Sequence, residues 1–151
     1  MVKRTSHMET GCPVARPLDA LGDGWSLLIV RDAFDGLARF GEFQKSLGLA
    51  KNILASRLRH LVEHGILEAS AAADGGAHQE YRLTAKGRAL FPVLVALRQW
   101  GEAHCFEPGE LQVRLVDRKR GRPVRRLELR SHDGRLLDAE DTRVDFDMGD
   151  G

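Results

Sequence analysis

Cysteine is nearly missing from this chain of 151 residues: there are two, Cys12 and Cys105, far apart in the sequence. That is too few for a disulfide scaffold or a structural zinc site. Long hydrophobic runs are missing too, and none approaches the roughly 18 residues a membrane helix needs. The first residues, MVKRTSHMETG, are polar and lack the apolar core of a secretory leader. The expectation is a soluble, cytoplasmic protein without a membrane partner. Charge of one sign is also lacking. Charged residues make up 30% of the chain, yet the net charge is only +1, so any nucleic-acid reading must rest on local charge. No P-loop, dinucleotide-binding glycine motif or nucleophile elbow is present. The carboxylates are scattered, with no pair suited to general acid–base work. Neither an enzyme nor a cofactor is expected.

What is there is a hydrophobic share of 42%, enough for one domain with a small appendage. Residues 1–11 read as an arm, 12–107 as the main domain, and 108–151 as an extension with an acidic end. Cys12-Pro13 opens a short helical stretch, with Pro13 suited to a first turn and Val14, Leu18 and Leu21 at one-face spacing. Trp25 to Phe34 is strongly apolar and could be strand or helix. Its length and the Asp35-Gly36 stop favour a largely interior helix. Arg39 to Leu47 places Phe40, Phe43 and Leu47 on one face and ends at Gly48. Next, LAKNILASRLRHLVEHG sets Leu54, Leu58, Leu61 and Val62 on one face, with Gly65 as its stop. Two helices joined by a turn of a few residues form a helix-turn-helix candidate.

Ile66 to Ala71 and Gln79 to Leu83 read as two strands around the turn signal Asp74-Gly75-Gly76, a hairpin where a wing would stand. Thr84 is a good N-cap for a helix running to about Ala103. Leu90, Val93, Leu94, Leu97 and Trp100 recur along it at helical spacing, and so apolar a helix needs something to pack on. Beyond Pro108, LQVRLV (111–116) and VRRLELR (124–130) read as strands, separated by the turn-like Lys119-Arg120-Gly121-Arg122-Pro123.

A major groove admits one α-helix with hydrogen-bonding side chains outward and a scaffold-locking face inward. The Lys51 to His64 helix has this division. Asn52 suits adenine, Arg57 or Arg59 suits guanine, and Ser56 suits a base or a phosphate. Lys51, Lys45 and Arg39 add local positive charge against only Glu42 and Glu63. His78 or Arg82 of the hairpin could lie along the backbone or in a minor groove. The plainer alternative is a solvated helix face, and winged helices also serve as protein-binding modules. The order of elements favours DNA. His60, Glu63 and His64 spell a zinc-protease string, but with no third ligand, and no metal is expected.

The segments CPVARPLDALGDGWSLLIVRDAFDG, RFGEFQKSLGLAKNILASRLRHLVEHGILE and YRLTAKGRALFPVLVALRQWGE resemble the HxlR family of winged helix-turn-helix regulators, relatives of the MarR type. The resemblance covers roughly Cys12 to Glu102. It implies an α+β, mainly α, winged helix-turn-helix acting as a homodimer on an inverted-repeat operator in duplex DNA. Flanking helices would build the dimer interface, with Leu90, Val93, Leu94, Leu97 and Trp100 on it. DNA contacts would fall between Lys51 and Arg59 and in the wing. Cys12 begins a helix, where the dipole favours a thiolate. In several family members a cysteine at this position looks like a sensor of oxidants or electrophiles, which would make an oxidant or small molecule an effector; the other reading is a small residue buried in a dimer interface. Trp25 and Trp100 suit core packing better than a ligand pocket. The tail after Glu102 departs from the common pattern. It could pack on the winged domain, extend the dimer interface or form a small β appendage.

Overall fold

In the computed structural model, residues 6–72, 74 and 78–145 are described. The elements run α1 (Ala15–Leu21), α2 (Ser26–Phe34), α3 (Phe40–Leu47), α4 (Lys51–Glu63), β1 (Leu67–Ala71), β2 (Gln79–Leu83), α5 (Ala85–Arg88) and α6 (Phe91–His104). A single 3-10 turn, Ala139–Asp141, follows. The fold is mainly helical, with one small antiparallel sheet. The chain divides into two compact units, residues 1–94 and 95–151, so the division falls within α6. The sequence places its change of character later, at Pro108.

The core of the first unit follows from helical spacing. Ile29 and Val30 of α2, Phe43 of α3, and Leu54, Leu58 and Leu61 of α4 are all buried, joined by Ile66 and Leu67 at the root of β1. Each fully buried aliphatic or aromatic side chain contributes about 1.5–3 kcal/mol, so this cluster fixes α2, α3 and α4 against one another. The apolar segment after Trp25 is therefore an interior helix, as its length predicts. The face of α1 differs from expectation: Leu21 is buried, while Leu18 is exposed and Val14 is 70% exposed. Helix α1 also starts two residues after Pro13, which lies in the turn leading into it.

The hairpin forms in the expected place. Leu67 pairs with Leu83 and Ala71 with Gln79; residues 73 and 75–77 of the connecting turn, including its Gly75-Gly76, lie outside the described residues. Tyr81 N–H donates to the Ala38 carbonyl at 2.7 Å, and an isolated bridge joins Arg39 to Glu80, which fastens the hairpin to the entrance of α3.

The single helix expected from Thr84 to Ala103 is two helices. Thr84 does cap the first, accepting from Gly87 N–H at 3.0 Å. The break at Ala89-Leu90 has its cause in Pro92, which has no N–H to donate and whose ring would clash with the Arg88 carbonyl in a continuous helix. Pro92 instead occupies the first turn of α6, where a proline is tolerated.

The strands expected at 111–116 and 124–130 are a second correction. Among the described residues of the extension, only two isolated bridges form, Val116 with Pro123 and Arg130 with Leu136. Alternation and β-branching are present, but a strand needs a buried face, and this one has none. Leu111 is 98% exposed, and Val113, Leu127 and Leu129 are exposed as well. Val95 is the one buried residue among those described in the second unit.

Candidate nucleic-acid interface

Helices α3 and α4 with the three residues between them make the helix-turn-helix. The entrance to α3 is held by Glu42, whose carboxylate accepts from Arg39 N–H at 2.9 Å and Ala38 N–H at 3.3 Å. Those two donors keep the Glu42 carboxyl below its ordinary range. Gly48 ends α3 with φ at +66°, a left-handed conformation that glycine adopts without penalty, and its N–H donates to the Gln44 carbonyl at 2.8 Å. The Gln44 amide then donates to the Leu49 carbonyl at 3.2 Å, pinning the turn.

Helix α4 has the two-sided character its sequence predicts. Leu54, Leu58 and Leu61 face the core. Lys51, Asn52 and Arg59 are exposed and Ser56 is half-buried. Lys45 of α3 is exposed as well. Among the described residues, Lys45, Lys51 and Arg59 form no ion pair. Spacing overlooked Ile53, an apolar side chain 44% exposed on the same helix. The signal for it was available: Ile53 falls outside the Leu54-Leu58-Leu61 stripe, so an apolar residue there has no core to fill.

The remaining arginines among the expected contacts are engaged within the chain. Arg57 pairs with Asp23, before α2, at 3.4 Å. Burial works to raise the Asp23 carboxyl, but the Ser26 hydroxyl, the Trp25 and Ser26 N–H groups and Arg57 together hold it below its ordinary value. Arg39 donates to Asp74 at 2.7 Å and lies 3.8 Å from Glu80. Arg82 donates to the same Glu80 at 2.8 Å. Glu80 is buried near the turn end of β2, so both arginines are held by one carboxylate of the wing. His78 is exposed, and its carbonyl accepts from Ala72 N–H. His60 is engaged within the chain: its Nε2 lies 2.8 Å from the Asp19 carbonyl and its ring stacks edge-on with His64.

The HxlR-like helix-turn-helix profile matches residues 20–108, which spans all of these elements from the end of α1 to the end of α6. The chain belongs to the HxlR-like helix-turn-helix family. An HTH-type transcriptional regulator of Mycobacterium tuberculosis is 40% identical over 114 residues, covering 76% of this chain and 72% of that protein. Among solved structures, PA1607, assigned as a transcription factor, is 69% identical with a TM-score of 0.91, covering 95% of this chain and all of that one. The reduced form of the regulator YodB from Bacillus subtilis is 31% identical with a TM-score of 0.56, covering 67% of this chain and all of that one.

Two further features of this HxlR-like chain lie outside the helix-turn-helix. Cys12 is exposed just before α1, and Ala15 N–H points at its Sγ at 3.4 Å. The backbone N–H groups of Ala15 and Val14 hold the thiol below its ordinary value. On α6 the expected interface residues divide. Leu90 and Leu94 pack partly onto the chain's own core, whereas Val93, Leu97 and Trp100 are exposed, Trp100 to 60%. Among the described residues, no helix is long and apolar enough to cross a membrane.

Proposed function

We propose that this protein is a sequence-specific DNA-binding transcription regulator, without catalytic activity, that works in the cytoplasm as a homodimer on an inverted-repeat operator. The observation that carries the reading is α4. Three buried leucines lock one side, while Asn52, Ile53, Ser56 and Arg59 remain accessible on a helix that follows a tight turn. Asn52 reads adenine, Arg59 reads guanine, and Ile53 meets a thymine methyl. Lys45 and Lys51 take phosphates, with Ser56 on a base or phosphate. Arg57 orients α4 through Asp23 and turns to the backbone when DNA arrives. His78, Arg82 and Arg39 serve in or under the wing. A winged domain over 12–107 does the reading, and the outward face of α6 with Val93, Leu97 and Trp100, backed by Leu90 and Leu94, closes the dimer.

Cys12 is the proposed entry point for an oxidant or electrophile. An exposed thiol with a lowered pKa carries a larger share of thiolate at neutral pH, and the thiolate is the nucleophile. Among the relatives, YodB has been solved with quinone bound and after diamide treatment, and HypR is a redox regulator.

The test is a mobility-shift measurement on the DNA upstream of the protein's own gene, at several salt concentrations, with and without a mild oxidant. The expected result is specific, salt-sensitive binding that is lost in Asn52→Ala/Arg59→Ala. Loss on oxidation that Cys12→Ser prevents assigns the sensor. Unchanged operator affinity in the double variant would remove α4 from the interface.

A further inference from the structure

The extension after α6 concentrates positive charge that the winged domain does not explain. Between residues 114 and 126, seven lysines and arginines stand against one carboxylate, Asp117, an excess of six. The whole chain sums to +1, so everything outside this segment sums to −5. All seven cations are exposed. Among the described residues none of them forms an ion pair. The contrast with Arg39, Arg57 and Arg82, each matched to a carboxylate, is direct.

The charge is mounted on a built tip. The Asp117 carboxylate accepts from Lys119 N–H and Arg120 N–H, each at 3.0 Å. Asp117 N–H donates to the Arg122 carbonyl at 2.8 Å and Gly121 N–H returns to the Asp117 carbonyl at 2.7 Å. The Val116 to Pro123 bridge closes the base. One acidic residue is thus spent on fixing the backbone of the turn. The side chains of Arg118, Lys119, Arg120 and Arg122 are left outward with nothing to neutralise them. Unmatched cations fixed within a few residues of one another repel and destabilise the folded chain unless a polyanion meets them.

We propose that the tip at residues 118–122 is a second DNA-binding element, which grips the phosphates of duplex DNA without reading its sequence. The inference rests on the regulator reading for the choice of duplex DNA as the polyanion. It assigns the two elements different tasks: α4 discriminates among sequences, and the tip supplies affinity. A protein that is net negative outside this segment gains most of its long-range attraction to DNA from it.

The test uses the full-length protein in which Arg118, Lys119, Arg120 and Arg122 are all replaced by glutamine, with a second variant in which the three arginines become lysine. Affinity is measured on the upstream operator duplex and on a random duplex across a salt series. Each phosphate contact contributes about 0.9 to the slope of log K against log salt. The glutamine variant is expected to lower that slope by about 2–4 and to weaken both duplexes by the same factor, about ten- to a hundredfold at moderate salt. The lysine variant is expected to keep the slope, and the preference for operator over random DNA is expected to stay unchanged in both. Unaltered slope and affinity in the glutamine variant would overturn the proposal. So would a loss confined to single-stranded RNA or to anionic lipid vesicles. Failure of the regulator reading looks different: no duplex is preferred over random DNA, while tip-dependent binding to random duplex persists.

Discussion

Gly87 sits where α5 crosses the root of the wing, and replacing it by alanine sets two effects against each other. Alanine is favoured over glycine within a helix by about 1 kcal/mol, although α5 is too short to realise all of it. Against this, a Cβ at residue 87 would stand 2.2 Å from the Ile66 carbonyl oxygen, 3.2 Å from its carbon and 3.0 Å from Leu83 Cδ2. A comfortable carbon-to-oxygen approach is about 3.3 Å, so the Ile66 carbonyl has to retreat by about 1 Å. That carbonyl accepts from Thr84 N–H at 3.1 Å, while the Thr84 hydroxyl proton goes to the nearer Gly65 carbonyl. The Thr84 N–H bond is lost at about 1 kcal/mol, and overpacking adds about 1–3 kcal/mol. The clash is with backbone, which cannot swing aside as a side chain does. The net expectation for Gly87→Ala is destabilisation by about 2–3 kcal/mol. At about 2–4 °C per kcal/mol for a chain of this size, the thermal midpoint falls by about 5–10 °C. Circular dichroism melting reads this directly. A midpoint that is unchanged or raised would mean that helix propensity wins and that the approach of α5 to β1 is loose.

Leu58→Ala opens a cavity between α4 and the buried face of α2 and is expected to cost about 2–5 kcal/mol in urea unfolding; a loss below 1 kcal/mol would place Leu58 outside the core. The Asp23 carboxyl lies below its ordinary value in the folded chain, so its stabilisation is complete above the unfolded value of about 3.9 and is lost as pH falls through the folded one. Asp23→Asn should therefore melt lower than the native protein at pH 7, with the gap closing below about pH 4; a gap that persists undiminished in acid would make the effect steric. In a Cys105→Ser background, the rate of Cys12 alkylation should reach half its maximum at a pH below that of an ordinary thiol, about 8.5; a midpoint at or above that value would remove the activation by Ala15 and Val14 N–H. Pro92→Ala removes the break between α5 and α6 and is expected to raise the helical dichroism while lowering the thermal midpoint, because joining the helices would pull Leu90 off the core.

The winged domain was legible in the sequence because its determinants are local. The leucine spacing of α4, the glycine after α3 and the Thr84 cap each act within a few residues. What stayed hidden depends on partners distant in the chain. The charge of Arg57 advertises a DNA contact, and nothing near it in sequence reveals that Asp23 already holds it. Arg39 and Arg82 converge on Glu80 only once the hairpin folds back on α3. The extension misled for a related reason. Alternating apolar residues at 111–116 and 124–130 satisfy the pattern of a strand, but pattern alone cannot supply the neighbour that would cover Leu111 and Val113. The break at Ala89-Leu90, by contrast, was readable. Pro92 marks it in the sequence, and the strong apolar period from Leu90 to Trp100 masked it.

The carbonyls at the far end of α4 give this helix a fixed root. Lys86 Nζ holds the His64 carbonyl at 2.7 Å, the Thr84 hydroxyl holds that of Gly65, and Thr84 N–H holds that of Ile66. His60 adds its bond to Asp19 of α1. The helix of 13 residues is about 20 Å long, and Asn52 lies at the other end. It therefore behaves as a cantilever. A tilt of about 5° at the root carries the tip through about 1.7 Å, several times the few tenths of an ångström over which a base-edge hydrogen bond keeps its strength. On the proposed reading, gain of this kind would let a displacement of α1 or α5 too small to disturb the core decide whether a base is read at all.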